Sequence, residues 1–159
     1  MTDTMVRCID GFYGGLFAGV MSAAFYALVA VAWLQEASLV SFFARPAQAL
    51  PPFHTAPASW ALAGLGVVLF MLLAAAFGIV YAALARHLRS MWRAPTSVIW
   101  GILYGVFVWW AINDVIVPVS GAVNVQPLWQ GLVGTVVFYG IVLSELTTVA
   151  HRREASAAP

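Results

Sequence analysis

Charge is what this sequence has least of. Only 8% of its 159 residues are Asp, Glu, Lys or Arg, against 63% hydrophobic and 14% aromatic, whereas an ordinary soluble domain carries about 25% charged residues. That scarcity excludes a water-soluble globule. A net charge of +1 leaves no basic field for nucleic acid. The single cysteine, Cys8, excludes an internal disulfide; beside Arg7 and ahead of the first apolar run, it reads as a reduced thiol at the cytoplasmic edge. No Ser/Pro/Gly-rich stretch sets off a soluble module, so residues 1–159 read as a single membrane domain. Nor is there a nucleophile motif, a glycine-rich phosphate loop after a strand, or a CxxC pair. An enzyme is not expected, and neither is a cofactor.

What is present is apolar length. A transmembrane helix needs about 20 mostly apolar residues, and four stretches supply them: 11–34, 59–85, 97–117 and 128–150. The expected fold is all-α, an integral membrane four-helix bundle. Arginines accumulate on the cytoplasmic side of a membrane, and here Arg7 precedes the first span, Arg86, Arg89 and Arg93 separate the second from the third, and Arg152 and Arg153 follow the fourth. Arg45 alone falls in an outer loop, so both termini are expected inside. Trp33, Trp60, Trp109, Trp110 and Trp129 collect at the outer ends and Trp92 and Trp100 at the inner side, the aromatic-belt pattern. Ala27–Ala30 loosely imitates a signal-peptide cleavage site, but the run before it exceeds the roughly 7–15 apolar residues of a signal peptide, so an uncleaved anchor is expected.

The long outer loop between helices 1 and 2, residues 35–58, mixes Phe42, Phe43 and Phe53 with Pro46, Pro51, Pro52 and Pro57. The prolines forbid a long helix, while the phenylalanines with Leu39 and Leu50 give part of the segment an apolar side. It reads either as a lid over the bundle or as a docking surface. His54 within it has no partner visible in the sequence.

Lipid offers helices little hydrophobic reason to associate, so small residues that let backbones approach must carry the packing. Gly15 and Gly19, extended by Gly11 and Ser22, mark one such face. Gly101 and Gly105 mark a second. Gly131 and Gly134 mark a third, continued at 100° per residue by Phe138, Ile141 and Glu145.

Ionisable residues inside a span are functional candidates by default. Asp114 lies four residues before Pro118, about 6 Å along the axis, and so one turn below the outer surface. Glu145 lies roughly 8 Å from the inner end of the fourth span, which separates the two carboxylates by roughly 16 Å of depth in a core about 30 Å thick. They cannot share a proton directly, and a path through both would depend on Tyr26, Ser22, Thr135 and Tyr139. Pro118 removes the helical partner of the Asp114 carbonyl, so Asn113 and Asp114 are expected to tie down the end of the third span and the short outer loop 119–126. Asp114 shares a face with Leu103, Phe107, Trp110 and Val117, opposite the glycines, which gives this helix two contact sides. Glu145 is expected to bond a neighbouring hydroxyl or Arg7, and Asp10, at the inner mouth of the first span, to meet Arg7 or Arg86. His87 and His151 sit at inner span ends; they are weak metal or haem candidates without a third ligand.

The run GILYGVFVWWAINDVIVPVSG, 101–121, followed by a fourth span and the terminal HRR, resembles a family of bacterial four-helix inner-membrane proteins sometimes labelled YagU-like. The pattern is G-x-x-Y-G, then an asparagine, aliphatics and P-x-S, carried here by Gly101, Tyr104, Gly105, Asn113, Pro118 and Ser120. Asp114 departs from it, since the pattern has an apolar residue there. The resemblance implies a bacterial inner membrane and four helices; it brings no activity with it.

Three functions are therefore expected in order. The first is a non-catalytic accessory or scaffold subunit of a larger membrane complex, or a homo-oligomer, with Asn113, Asp114, Glu145 and Asp10 as candidate contacts. The second is a small oligomeric transporter or channel for protons, ions or a small solute. The third is a haem- or metal-binding redox subunit using His87 and His151. The partners would be the bilayer and another membrane protein or a second copy.

Overall fold

The computed structural model describes residues 3–32, 38–92, 96–120 and 128–157, without the side chains of 3–7, Arg89, Trp92, Val119, Ser120, Leu128 and 153–157. The expected positions Trp33, Arg93 and Gly121, the loop 121–126 and the side chain of Arg7 therefore lie outside the described residues.

Among those residues the fold is entirely helical, as lipid demands of a chain whose backbone must satisfy its own hydrogen bonds. There are five helices: α1 (Asp3–Ala32), α2 (Leu39–Gln48), α3 (Trp60–His87), α4 (Thr96–Trp110, continuing through Ala111–Ile116 and Val117–Ser120) and α5 (Leu128–Val133, continuing through Gly134–Ile141 and Val142–Ala157). Four of them are long and apolar enough to cross a membrane, over Cys8–Ala32, Trp60–His87, Thr96–Ile116 and Trp129–Arg152. α1 begins eight residues before the expected start at residue 11 because a helix does not stop where hydropathy falls. Residue 119, expected in a loop, is still helical.

The long helices pack antiparallel, and contacting residues show it directly. Gly11, Gly15 and Gly19 of α1 meet Gly78 with Ala82, then Ala74, and Ala74 with Met71 of α3. Going up α1 on its other side, Gly14 faces Leu143, Ser22 bonds Gly134 and Tyr26 bonds Gly131 of α5. Gly101 and Gly105 of α4 face Gly140 and Thr135 of α5. α1 is thus flanked by α3 and α5, and α4 lies on α5. We call the end holding Ala32, Trp60 and Ser120 the α2 end and the opposite one the terminus end.

The proline-rich segment folds into α2 and a 3-10 turn, Pro51–Phe53. Ser38 caps α2 by accepting from Val40 N at 3.1 Å, as its short polar side chain is suited to do. Pro46 fits because α2 is only ten residues long. The helix buries Phe42, Ala44 and Ala47 against the α2-end halves of α3 and α1, where Phe42 joins Tyr26, Ala30 and Phe70, and Ala44 and Ala47 join Leu62, Leu65 and Leu69. Gly66 permits the approach, since a Cβ there would strike the Phe43 carbonyl. The turn is stitched by Gln48 Nε2 donating to Ala56 O at 3.0 Å, and His54 Nε2 lies 3.0 Å from Ala49 O. His54 therefore has a partner after all, inside its own segment.

Two stretches are wound wider than an α-helix, with i→i+5 spacing: Ala111–Ile116 and Gly134–Ile141. The first answers Pro118. Instead of simply losing a bond and ending, the helix widens, Val117 N–H reaches back to Ile112 O, and the chain continues as helix past the proline. The second resets a face. Buried positions along α5 run Gln130, then Gly134 and Thr135, then Tyr139 and Gly140, then Leu143 and Ser144, then Thr147 and Thr148. The steps are four, five, four and four residues, and the wide turn absorbs the five.

Candidate functional site

The interior of the bundle is lined with hydroxyls, and their geometry decides what it can do. Tyr104 of α4 donates to the Phe77 carbonyl and Tyr139 of α5 to the Ala74 carbonyl, each at 2.5 Å, so two phenols grip α3 one turn apart. Ser22 and Tyr26 of α1 grip α5 in the same way, on the carbonyls of Gly134 (2.7 Å) and Gly131 (3.1 Å). The Tyr81 and Tyr104 rings meet edge to face with centroids 4.9 Å apart. Thr135, Ser144, Thr147 and Thr148 bond carbonyls of their own helix, the usual way short hydroxyls are satisfied mid-helix.

A proton relay needs each hydroxyl to pass its proton to the next. Here Ser22, Tyr26, Tyr104, Thr135 and Tyr139 give theirs to main-chain carbonyls, which cannot pass it on. The structure brings Ser22, Tyr26, Thr135 and Tyr139 together in the interior, but as latches between or within helices and not as a wire.

Glu145 is exposed, contrary to the expected face shared with Gly131, Gly134, Phe138 and Ile141. That face was projected at a constant 100° per residue; the extra residue in Gly134–Ile141 rotates everything beyond it by about one position. Glu145 is carried to the rim, where its Oε1 accepts from the buried Ser97 hydroxyl at 3.2 Å, one of the two kinds of partner expected for it. Enclosed next to this pair, the Tyr81 hydroxyl lies beside Ser144.

Asn113 and Asp114 part company. Asn113 is half-buried and its Nδ2 donates to Trp109 O at 2.8 Å, one turn back in α4. The bond lies within the helix, and the loop 121–126 that Asn113 was expected to help tie down is outside the described residues. Asp114 is exposed and makes no hydrogen bond or ion pair with a described residue. Of the face expected with it, Leu103 (54%), Phe107 (45%) and Trp110 (49%) are exposed while Val117 is half-buried, and the neighbouring Val115 (45%) is exposed as well. Among the described residues, the contacts of α4 within the chain centre on the opposite side, through Gly101, Gly105 and Tyr104, with Trp100 reaching Ser90.

The packing glycines are all engaged inside the chain. Gly15 and Gly19 lie on α3, Gly101 and Gly105 on α5, Gly131 against the Trp109 indole, and Gly134 under the Tyr26 ring. Tyr26 of α1 touches both Gly131, at its carbonyl, and Gly134, while Trp109 of α4 covers Gly131 from the other side. Gly78 and Gly140, the opposite halves of the closest approaches, were missed in the sequence because neither sits in a G-x-x-x-G pair on its own helix.

At the terminus end, Asp10 is half-buried, His87 is exposed and His151 half-buried. Arg86 Nη2 lies 3.5 Å from His87 Nε2. Among the described residues no group of three His, Cys, Asp or Glu could hold a metal. At the α2 end, Gln130 is wholly buried and neither of its amide atoms has a hydrogen-bond partner among the described residues. Tyr81, Tyr104, Ser97 and Gln130 were likewise missed, although the signal existed: they are the polar members of the buried faces of α3, α4 and α5. Comparison with protein-family models, with curated proteins and with solved structures finds no match.

Proposed function

We propose that this protein is a non-catalytic subunit of the bacterial inner membrane, both termini cytoplasmic, which associates with another membrane protein through the outward face of α4. The observation that carries the reading is Asp114, an exposed and unpaired carboxylate on a span, among the exposed side chains of Leu103, Phe107, Trp110 and Val115. A carboxylate on a lipid-facing helix is costly unless something meets it. The glycine faces support the same assignment by elimination, since each is already occupied by a helix of its own chain. The arginine distribution supports the orientation, and it puts Asp114 at the outer side. The Gly101–Ser120 pattern shared with four-helix bacterial proteins supports the setting.

The test is extraction from native membranes in mild detergent, with copurifying proteins identified by mass spectrometry. Wild-type protein is expected to bring a membrane partner or further copies, and Asp114→Asn to lose most of them. A lone monomer at every protein level sinks the reading.

A further inference from the structure

We infer that the α4 face meets a second copy of this chain, and that the group facing Asp114 is Arg45 on α2 of that copy. This rests on the reading above that the α4 face is the contact face.

Symmetry narrows the partner surface. Copies that share one membrane orientation are related by axes normal to the bilayer. A two-fold axis beside α4 would set α4 parallel to its own image and Asp114 opposite Asp114, a like-charge contact that self-complementary interfaces avoid. Association through this face is therefore head-to-tail, with a different surface of the next copy supplying a cation. Of the seven arginines, Arg7, Arg86, Arg89, Arg152 and Arg153 belong to the terminus end by chain position, and Arg93 lies outside the described residues. Arg45 is the one arginine at the α2 end among the described residues.

Depth agrees. Residues 43–46 of α2 cross α3 at Gly66, where a Cβ would collide with Phe43 O and come into contact with Pro46. Gly66 is six residues from the start of α3 at Trp60, and Asp114 is six residues from the end of α4 at Ser120, about 9 Å in each case. A second measure starts from the Tyr104 bond to Phe77. Eleven residues separate Phe77 from Gly66 and ten separate Tyr104 from Asp114, about 16 and about 15 Å along their helices. Arg45 and Asp114 thus stand at one level. They do so on different sides of the molecule, because α2 packs on α3 and α1 while Asp114 points outward from α4.

The surroundings suit a lipid-embedded contact. Arg45 is half-buried, its guanidinium carbon 5.9 Å from the Phe42 ring centroid, which holds the side chain close to the helix. On α2 and α3, Leu39 (44%), Val68 (54%) and Leu72 (58%) are exposed, so these two helices present apolar side chains outward as α4 does around Asp114. A contact between unlike surfaces repeats from copy to copy, and it closes into a ring where the rotation between copies divides a full turn.

The test uses full-length chains labelled at Cys8 with donor or acceptor dye, reconstituted in phosphatidylethanolamine/phosphatidylglycerol vesicles over a range of protein-to-lipid ratios. Energy transfer is expected for wild type. Asp114→Arg and Arg45→Asp should each weaken association by at least about tenfold, and the double reversal should restore it. If Arg45→Asp loses the wild-type thermal melt, Arg45→Gln with Asp114→Asn replaces it, and the double variant should associate no more weakly than either single one. Transfer unchanged in the single variants overturns the inference, as does a double variant weaker than both. Absent self-association with a native membrane protein still captured, and lost in Asp114→Asn, overturns this inference and leaves the proposed function standing. Absence of both overturns both.

Discussion

Gly78 of α3 lies so close to Gly15 of α1 that a Cβ on Gly78 would stand 2.6 Å from the Gly15 Cα and would also strike the Gly11 carbonyl. The neighbours are backbone, which cannot turn aside. In lipid, where dispersion and not water exclusion holds helices together, that approach is what joins α1 to α3.

Gly78→Ala should therefore destabilise by about 1–3 kcal/mol, the usual cost of overfilling a packed site. Gly64, on the same helix, has nothing within 4 Å of a Cβ. Gly64→Ala should be neutral or slightly stabilising, because alanine restricts the unfolded chain. Reversible unfolding of both variants in mixed micelles makes the comparison, and equal effects would refute the close approach.

Tyr139→Phe removes one phenol bond to Ala74 O and keeps the ring. Since that carbonyl belongs to a regular helix, the loss should be about 0.6 kcal/mol, the typical worth of a hydrogen bond between membrane helices. Tyr139→Ala, which empties a buried ring site, should cost about 3–5 kcal/mol. The same unfolding assay separates the two.

Gln130 is buried with both amide atoms unbonded among the described residues. Replacing an unsatisfied polar group by an apolar one of similar shape is neutral or stabilising, so Gln130→Met should keep or raise the unfolding midpoint. A clear fall would mean that the amide has a partner in the adjoining segment 121–127.

Ser22, Tyr26, Tyr104, Thr135 and Tyr139 each donate to a main-chain carbonyl, which offers no onward donor. Proteoliposomes loaded with a pH dye should show proton flux at the lipid baseline, with Asp114→Asn and Glu145→Gln making no difference. Flux above baseline that either substitution abolishes would restore the transporter reading.

The wide turn in α5 makes a register prediction. Deleting Val137, an exposed residue inside Gly134–Ile141, converts the turn to ordinary α-helix and leaves the buried positions on both sides in place, so a folded protein is expected. Deleting Leu72, equally lipid-facing but in the regular part of α3, rotates one half of that helix by about 100° against the other and pulls Gly66 or Gly78 from its contact. Expression with a cooperative melt should survive the first deletion and not the second.

Much of this fold was legible in order of residues alone. The four apolar runs located the helices, and the Gly15/Gly19 and Gly101/Gly105 spacings located two of the close faces. The wheel through Leu103, Phe107, Trp110, Asp114 and Val117 grouped four residues that share an exposed side, with Val117 half-buried beyond the wide turn. What failed was extrapolation across a change of winding: one added residue between Gly134 and Ile141 moved Glu145 from a projected interior to the rim and put Tyr139, Ser144 and Thr148 inside. Local pattern carries no mark of such a turn, because it is chosen by the partner helices that need Thr135 and Tyr139 to face them.

The sequence by itself determined that the chain is helical and apolar enough to cross a membrane four times, since composition and run length answer to lipid and not to neighbours. It also placed Asp114 near a helix end, through its distance from Pro118. Only the tertiary structure decided that each packing glycine is occupied within the chain and that each latching hydroxyl is spent on a carbonyl. It also left Asp114 facing out with no bond to a described residue. Which face a helix turns inward depends on what stands beside it, and that pairing joins residues far apart in sequence.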